Sequence, residues 1–231
     1  KRDNRRVINN LRALELEISK IKQYEELKKF DIKFPRTFAA KNKKELIENS
    51  KYFNKPFITK HNRGGRGLGV KYFKNTIELE KYVNSKDFED SIDGTTLLQE
   101  YIFSNEQVIT RVEFVKGKFL YAVQVDTSEG FQLCPADPCN IEEKFCPSNP
   151  NGKKFMILEN YNNLEIEKYE KLLKANEIEV AGIEYIVNKE GEHFTYDINT
   201  NTNYNSLAEK KSTKKGMETI ANFLNNELKL N

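Results

Sequence analysis

A glycine-rich loop between two predicted strands constrains the fold of this chain more than any other feature. The loop at 61–69 (HNRGGRGLG) holds four of the eleven glycines, between predicted strands over 56–59 and 70–73. Glycines let a backbone approach an anion closely, and their amides can form an anion-binding nest. The P-loop and the dinucleotide-binding loop need a helix directly behind the glycines. Strands on both sides therefore favour a flap over phosphates, with an ordinary hairpin as the alternative.

The remaining pattern predicts short strands joined by turns, with helices beside them. Apolar residues at three- and four-residue steps predict an amphipathic helix over about 11–29, and Pro35 follows it. Further helices are predicted over 43–50, 75–83, 164–175 and 206–228, and strands over 95–102, 108–115, 119–125, 180–187 and 193–198. Because most of these strands are joined by short turns, we expect antiparallel sheets with helices on one face, an α+β architecture. The segment 131–151, which holds four prolines, is predicted to be irregular.

The composition excludes several classes of protein. The 231 residues include 38 Lys and Arg against 35 Asp and Glu, and this net charge of +3 does not by itself indicate a nucleic-acid partner. No run approaches the roughly 20 apolar residues of a membrane span. The three cysteines, Cys134, Cys139 and Cys146, cannot close a disulfide framework and are spaced too widely for a typical zinc site. We therefore expect free thiols in a cytoplasmic protein.

A small acidic cluster is predicted where the last two strands meet. Glu184 lies on one strand, while Asp197 and Asn199 lie two residues apart on the next and so face the same side of the sheet. Two carboxylates and an amide oxygen suit magnesium; solvated strand residues are the alternative. A weaker feature is the segment 99–102 (QEYI), whose extended backbone could bind the edge of an adenine.

Together these motifs resemble the ATP-grasp superfamily and, within it, the RimK-like carboxylate–amine ligases. The resemblance runs from about residue 10 to the C-terminus. It rests on Lys20 fifteen positions before Pro35, Lys60 and the flap, the segment 98–102 (LQEYI), Arg111 twelve positions after Gln99, and the segments 180–184 and 197–199. It implies an ATP-grasp fold of two α+β lobes with ATP in the cleft between them. The implied divisions are a linker and helix over 1–34, a small lobe with the flap over 35–97, and a large lobe with the metal site over 98–231.

The resemblance also implies a role for each matched residue. The residues implied to hold the nucleotide phosphates are Lys20, Lys60 and the flap residues Arg63, Gly64, Gly65, Arg66 and Gly67. Those implied to contact adenine and ribose are Gln99, Glu100, Tyr101, Ile102 and Glu106, with Asn105 as an alternative to Glu106. Arg111 would be the catalytic residue that steadies the transferring phosphoryl group. The implied ligands of two magnesium ions, with manganese as an alternative, are Glu184, Asp197 and Asn199.

The activity implied by the resemblance is an ADP-forming carbon–nitrogen ligase that joins a carboxylate to an amine through an acyl phosphate. Its substrates would be small molecules or peptides, without nucleic acid or membrane as partners. The sequence departs from the family pattern at three places, the first at the ribose contact and the other two on the substrate side. Ile109 stands where an acid is usual, 200–205 (TNTNYN) replaces small residues leading to Pro-Gly, and 121–126 lacks the basic run of glutamate-adding members.

Other functions stay open at this stage. The family usually carries a further domain before the ATP-grasp portion, so part of the substrate site could lie in such a domain; a homo-oligomer is the other possible partner. The alternatives in function are a nucleotide-binding regulatory module without turnover, an ATP-grasp enzyme of different phosphoryl-transfer chemistry, and a basic RNA-binding domain. Against the last, Lys and Glu alternate along the predicted helices, which is typical of a solvated face.

Overall fold

The computed structural model describes residues 6–65, 69–127, 155–210 and 212–229. The helices in these ranges are α1 (Leu11–Glu17), α2 (Lys20–Lys29), α3 (Lys43–Ser50), α4 (Thr76–Val83), α5 (Glu165–Ala175), α6 (Ser206–Glu209) and α7 (Gly216–Lys229). The strands are β1 (Thr37–Ala40), β2 (Phe57–His61), β3 (Lys71–Phe73), β4 (Thr96–Glu100), β5 (Val108–Val115), β6 (Lys118–Asp126), β7 (Phe155–Leu158), β8 (Val180–Val187) and β9 (His193–Asn199). Segment 131–151 and the three cysteines lie outside the described residues.

The strands form two sheets, in the orders β1-β4-β2-β3 and β7-β6-β5-β8-β9. Every neighbouring pair in these two sheets is antiparallel, which confirms the predicted α+β class. The boundary predicted near residue 97 falls inside β4, which pairs with β1 and β2. The chain passes to the second sheet only after Glu100. The division into lobes stays a prediction.

Successive residues of each strand face opposite sides of the sheet, so the core lies on one side and the predicted site residues lie on the other. Helices α1, α2 and α5 pack on one face of the second sheet, around Leu27, Val112 and Leu172. Residues at odd positions of β5, such as Arg111, face the other side. Helices α3 and α4 cover the first sheet. Strand β4 contributes to both cores, because Leu97 packs in the core of the second sheet and Leu98 in the core of the first sheet.

The prediction of one helix over 11–29 is wrong, because the helix is interrupted after residue 17. Ser19 adopts an extended backbone and its hydroxyl accepts from the backbone N of Lys22 at 3.4 Å, so a new helix begins at Lys20. An N-cap serine satisfies a backbone donor that the helix leaves unpaired. The interruption makes Lys20 the first residue of α2.

Two other differences concern the C-terminal half. The predicted terminal helix is two helices, because the Glu209 side chain accepts from the backbone N of Gly216 at 2.7 Å and so starts α7 apart from α6. Strand β7 was not predicted; its four residues (FMIL) show no alternation and form an edge of the second sheet.

None of the helices in the described ranges has the length and apolar character that crossing a membrane requires.

Candidate active site

A cavity of about 860 Å³ is lined by residues of both sheets and of α2. The predicted site residues that line it are Lys20, Lys60, Gly64, Gly65, Gln99, Glu100, Tyr101, Ile102, Glu106, Arg111, Glu184, Asp197 and Asn199. Arg63 is exposed and is not among the lining residues. Arg66 and Gly67 lie outside the described residues. The fold thus brings residues from six separate stretches of the chain to one space.

One row of side chains crosses all five strands of the second sheet. Ile157 pairs with Val123, Val123 with Arg111, Arg111 with Glu184, and Glu184 with Asp197. Directly opposed side chains on antiparallel strands have Cβ atoms about 5 Å apart. The register therefore aligns Arg111 between an acidic half and an apolar half of the same row.

Arg111 is buried and its guanidinium is held on three sides. Its Nε donates to Glu113 Oε1 at 2.6 Å, its Nη1 donates to Glu184 Oε1 at 3.1 Å, and its Nη2 donates to the Thr202 hydroxyl. Sequence reasoning missed Glu113, although it lies two residues from Arg111 on one strand with opposite charge. That spacing was a usable signal, because such residues share a face of the sheet. The contacts fix the guanidinium in one orientation.

Burial governs the charges around Arg111. Burial raises the pKa of Glu113, and the charge of Arg111 opposes this increase. Burial also raises the pKa of Glu184; the charge of Arg111 opposes that increase, and the charge of Asp197 adds to it. Burial alone would lower the pKa of Arg111, but Glu113 and Glu184 outweigh it and the pKa lies above the ordinary value. Arg111 is therefore a permanent cation, because its proton cannot leave at physiological pH.

The two predicted phosphate lysines lie at the acidic end of the row. Lys20 Nζ donates to Asp197 Oδ1 at 2.5 Å, and Lys60 Nζ donates to the carbonyl oxygen of Tyr196 at 3.4 Å. Burial and the charge of Lys20 lower the pKa of Lys60 to about 7. Burial would raise the pKa of Asp197, but Lys20 and Lys60 lower it. Both lysines therefore keep N–H donors from which the oxygens of a bound polyanion could accept hydrogen bonds.

Asn62 joins the strand that carries Lys60 to the helix that carries Lys20. Its carbonyl oxygen accepts from the backbone N of Lys20 at 3.2 Å, and its Oδ1 accepts from the backbone N of Ile21 at 3.0 Å. Its Nδ2 donates to Asp93 Oδ2 at 2.6 Å. These bonds satisfy the first amides of α2 and fix the distance between the two lysines.

No family model and no curated protein matches this sequence. Solved structures do resemble the chain. A RiPP-associated ATP-grasp ligase of Chryseobacterium gregarium, in complex with ADP and leader and core peptides, is 16% identical with a TM-score of 0.66 over 94% of this chain. The ATP-grasp ligase PsnB, complexed with a minimal precursor, Mg and ADP, is 13% identical with a TM-score of 0.65 over 96%. A RimK domain protein ATP-grasp from Sphaerobacter thermophilus is 13% identical with a TM-score of 0.61 over 88%.

The chain has the ATP-grasp fold. It spans 62% of each of the first two of these proteins and 67% of the third. The fold that the sequence resemblance implied is therefore confirmed.

In this ATP-grasp fold, the segment 99–102 lines the cavity, but several of its hydrogen-bond donors are already paired with other groups of the protein. The Gln99 Nε2 donates to Tyr24 Oη at 2.8 Å, which turns this side chain into the core. The backbone N of Glu100 donates to the Arg36 carbonyl at 2.9 Å, and that of Tyr101 donates to the Pro56 carbonyl at 3.0 Å. The adenine-binding role of this segment stays a prediction.

The acidic trio of this ATP-grasp chain fits magnesium better than it fits a transition metal. No group of three His, Cys, Asp or Glu suited to a metal occurs among the described residues. Glu184 and Asp197 supply carboxylates and Asn199 supplies an amide, whose Nδ2 lies 3.4 Å from Glu184 Oε1. Magnesium keeps several waters and takes further oxygens from phosphates, so few protein ligands suffice.

Gly182 is expected to be required for the position of Arg111. A Cβ at residue 182 would lie 2.5 Å from Arg111 Nε and 2.7 Å from Nη2. The guanidinium cannot retreat easily, because Glu113 and Glu184 hold it. For the ligase activity that the sequence resemblance implies, we expect Gly182→Ala to lower ADP formation by about a hundredfold, since a displacement of about 1 Å in a site can have that effect.

The control for this prediction is a double-mutant cycle with Arg111→Lys, whose smaller head group leaves room for the new methyl. Gly182→Ala should cost little further activity in that background. An equal loss in both backgrounds would mean that Gly182 acts on something other than Arg111.

Proposed function

We propose that this protein is an ATP-dependent carboxylate–amine ligase of the RimK-like kind. The observation that carries the proposal is the Arg111–Glu184–Asp197 row with Lys20 and Lys60 beside it, on one wall of a cavity in an ATP-grasp fold. Structural neighbours that are ligases with bound ADP support it. Because the reaction consumes ATP, the proposed compartment is the cytoplasm, with small molecules or peptides as substrates.

The proposed reaction has two steps. A substrate carboxylate oxygen attacks the γ-phosphorus of ATP, the bond to the bridging oxygen breaks, and ADP leaves. The amine nitrogen then attacks the acyl carbon of the acyl phosphate, phosphate leaves, and the amine loses a proton. Phosphoryl transfer crowds negative oxygens in line, so the protein acts mainly by positioning and by neutralising charge.

The predicted site residues have separate roles in this scheme. Lys20 and Lys60 would bind the phosphate oxygens, and Arg111 would face the phosphoryl group that moves to the substrate. The residues proposed to hold two magnesium ions, with manganese as an alternative, are Glu184, Asp197 and Asn199. Magnesium held there would supply Lewis-acid chemistry that neutralises the negative charge of the phosphates. These contacts are stronger in a buried cleft than in water.

Nucleotide binding is expected to take up a proton above neutral pH. The pKa of Lys60 is lowered to about 7, so this side chain is largely neutral at about pH 8, whereas a bound triphosphate favours the ammonium form. Calorimetry with AMP-PNP and magnesium, in buffers of different ionisation heat, should show an uptake that approaches one proton at about pH 8 and falls towards zero at about pH 6. Lys60→Met should abolish this difference. The same uptake at both pH values would contradict the assignment of Lys60.

The function itself is tested by magnesium-dependent ADP release from the full chain with a pool of amino acids and small carboxylates. ADP that appears only when both an amine and a carboxylate are present supports the ligase. Binding of AMP-PNP without any turnover would favour a nucleotide-binding module, and ADP formed with a carboxylate but without any need for an amine would indicate other phosphoryl-transfer chemistry.

A further inference from the structure

One wall of the cavity carries no charged side chain within the described residues. It is formed by β6, β7 and α6, and its lining residues are Tyr121, Val123, Val125, Phe155, Ile157 and Ala208. In the cross-strand row, Val123 pairs with Arg111 and Ile157 lies one strand further. A substrate group that extends from Arg111 in this direction therefore meets an apolar surface.

Tyr204 lies at this wall, and the part of the chain that the structure describes offers its hydroxyl no hydrogen-bond partner. The hydroxyl is buried, while the residue lines the cavity. Arg111 and Glu113 lie close enough for their charges to act on it. A buried polar atom without a partner is uncommon in proteins and suggests that a bound molecule supplies the partner.

The Tyr204 ring is fixed by the junction of α6 and α7. A Cβ at Gly216 would lie 2.3 Å from Tyr204 Cδ1, so the ring occupies space that only glycine leaves free. Glu209 Oε1 accepts from the backbone N of Gly216 at 2.7 Å and from Tyr121 Oη at 2.5 Å. The Tyr121 ring in turn meets the Tyr204 ring edge to face, with centroids 6.4 Å apart. The hydroxyl is thereby held in place before any ligand arrives.

We propose that this wall is the subsite for an uncharged aliphatic or aromatic group of the carboxylate substrate, and that the Tyr204 hydroxyl donates a hydrogen bond to the reacting carboxylate of that substrate, on the side of the wall that faces Arg111. The inference rests on the proposed ligase function, and it names the substrate class as carboxylates without a second acid. A second carboxylate on this wall would lose its hydration without gaining a cation.

The test measures binding of two probes of matched shape to the full chain with AMP-PNP and magnesium. In 5-methylhexanoate an isopropyl group stands where glutarate has its second carboxylate. We expect 5-methylhexanoate to bind at least about tenfold more tightly, because its apolar end is buried without a charge to desolvate. Val123→Lys, which places a cation on the wall, should reverse the preference.

Tyr204→Phe separates a ligand contact from a structural role. Because the hydroxyl has no partner among the described residues, its removal should leave the melting temperature unchanged or higher. Affinity for 5-methylhexanoate should fall about tenfold, the effect of one lost hydrogen bond to a charged group, and AMP-PNP affinity should not change. Tyr52→Phe, at an exposed tyrosine outside the cavity, is the matched control.

The possible results separate this inference from the proposed function. If AMP-PNP does not bind, both are overturned. The subsite alone is overturned if AMP-PNP binds but glutarate is preferred, if neither probe binds, or if Tyr204→Phe leaves probe affinity unchanged. Weaker AMP-PNP binding in Tyr204→Phe or Val123→Lys would assign the wall to the nucleotide and overturn the subsite as well.

Discussion

The Asp197→Asn variant is expected to lose ATP turnover while the chain still folds. The substitution preserves the shape of the side chain but removes the negative charge that faces Lys20 at 2.5 Å and one proposed magnesium ligand. Lys20 and Lys60 then repel each other with one compensating carboxylate fewer. We expect magnesium-dependent ADP release to fall by at least about a hundredfold, as is typical when a charge that stabilises the transition state is removed.

The measurement compares ADP release, circular dichroism and gel filtration for the variant and the unmodified chain. Asp87→Asn changes an exposed aspartate outside the cavity and should leave turnover unchanged. Unchanged ADP release from Asp197→Asn would count decisively against the proposed site.

Arg111→Met is expected to lower the free energy of unfolding by about 3–5 kcal/mol, since it leaves buried carboxylates without their cation. Glu113 is 2% exposed and Glu184 is 9% exposed, and Arg111 is the cation bonded to both. Burial would then force one of them to take up a proton. Turnover should also be lost, because the moving phosphoryl group has no cation to face.

The two effects can be separated with a second substitution. Arg111→Met combined with Glu113→Gln removes one stranded charge, so urea denaturation should show that most of the lost stability returns, whereas ADP formation should stay absent. If the double variant recovers turnover, Arg111 acts through the fold and not in the reaction. If Arg111→Met alone is as stable as the unmodified chain, the buried ion pairs do not contribute as argued.

The sequence was informative wherever a local pattern determines geometry. The alternation of residues in a strand placed Asp197 and Asn199 on one face, and the turn before them aligned Glu184 with Asp197, as the register confirms. The strands on both sides of the glycine-rich loop are those predicted, as β2 and β3. Lys20 was identified only through the family resemblance, since nothing in its own helix pattern marks it.

The features that sequence reasoning missed depend on contacts between distant residues. Nothing near Glu209 in the sequence indicates that its side chain receives the first amide of α7, so a single terminal helix was predicted. The position of Tyr204 depends on the missing side chain of Gly216, twelve residues away. Glu113 is different, because its spacing from Arg111 was visible and simply not used.

The arrangement of the cross-strand row also bears on how such proteins diversify. The residues proposed for ATP lie on β5, β8, β9 and outside the second sheet, whereas those of the proposed apolar wall lie on β6, on the edge strand β7 and on α6. Mutations at Ile157, which lies one strand beyond the partner of Arg111, can therefore accumulate without touching Arg111, Glu184 or Asp197. Descendants of one ancestral enzyme could then acquire new acids to activate while inheriting their phosphoryl chemistry intact.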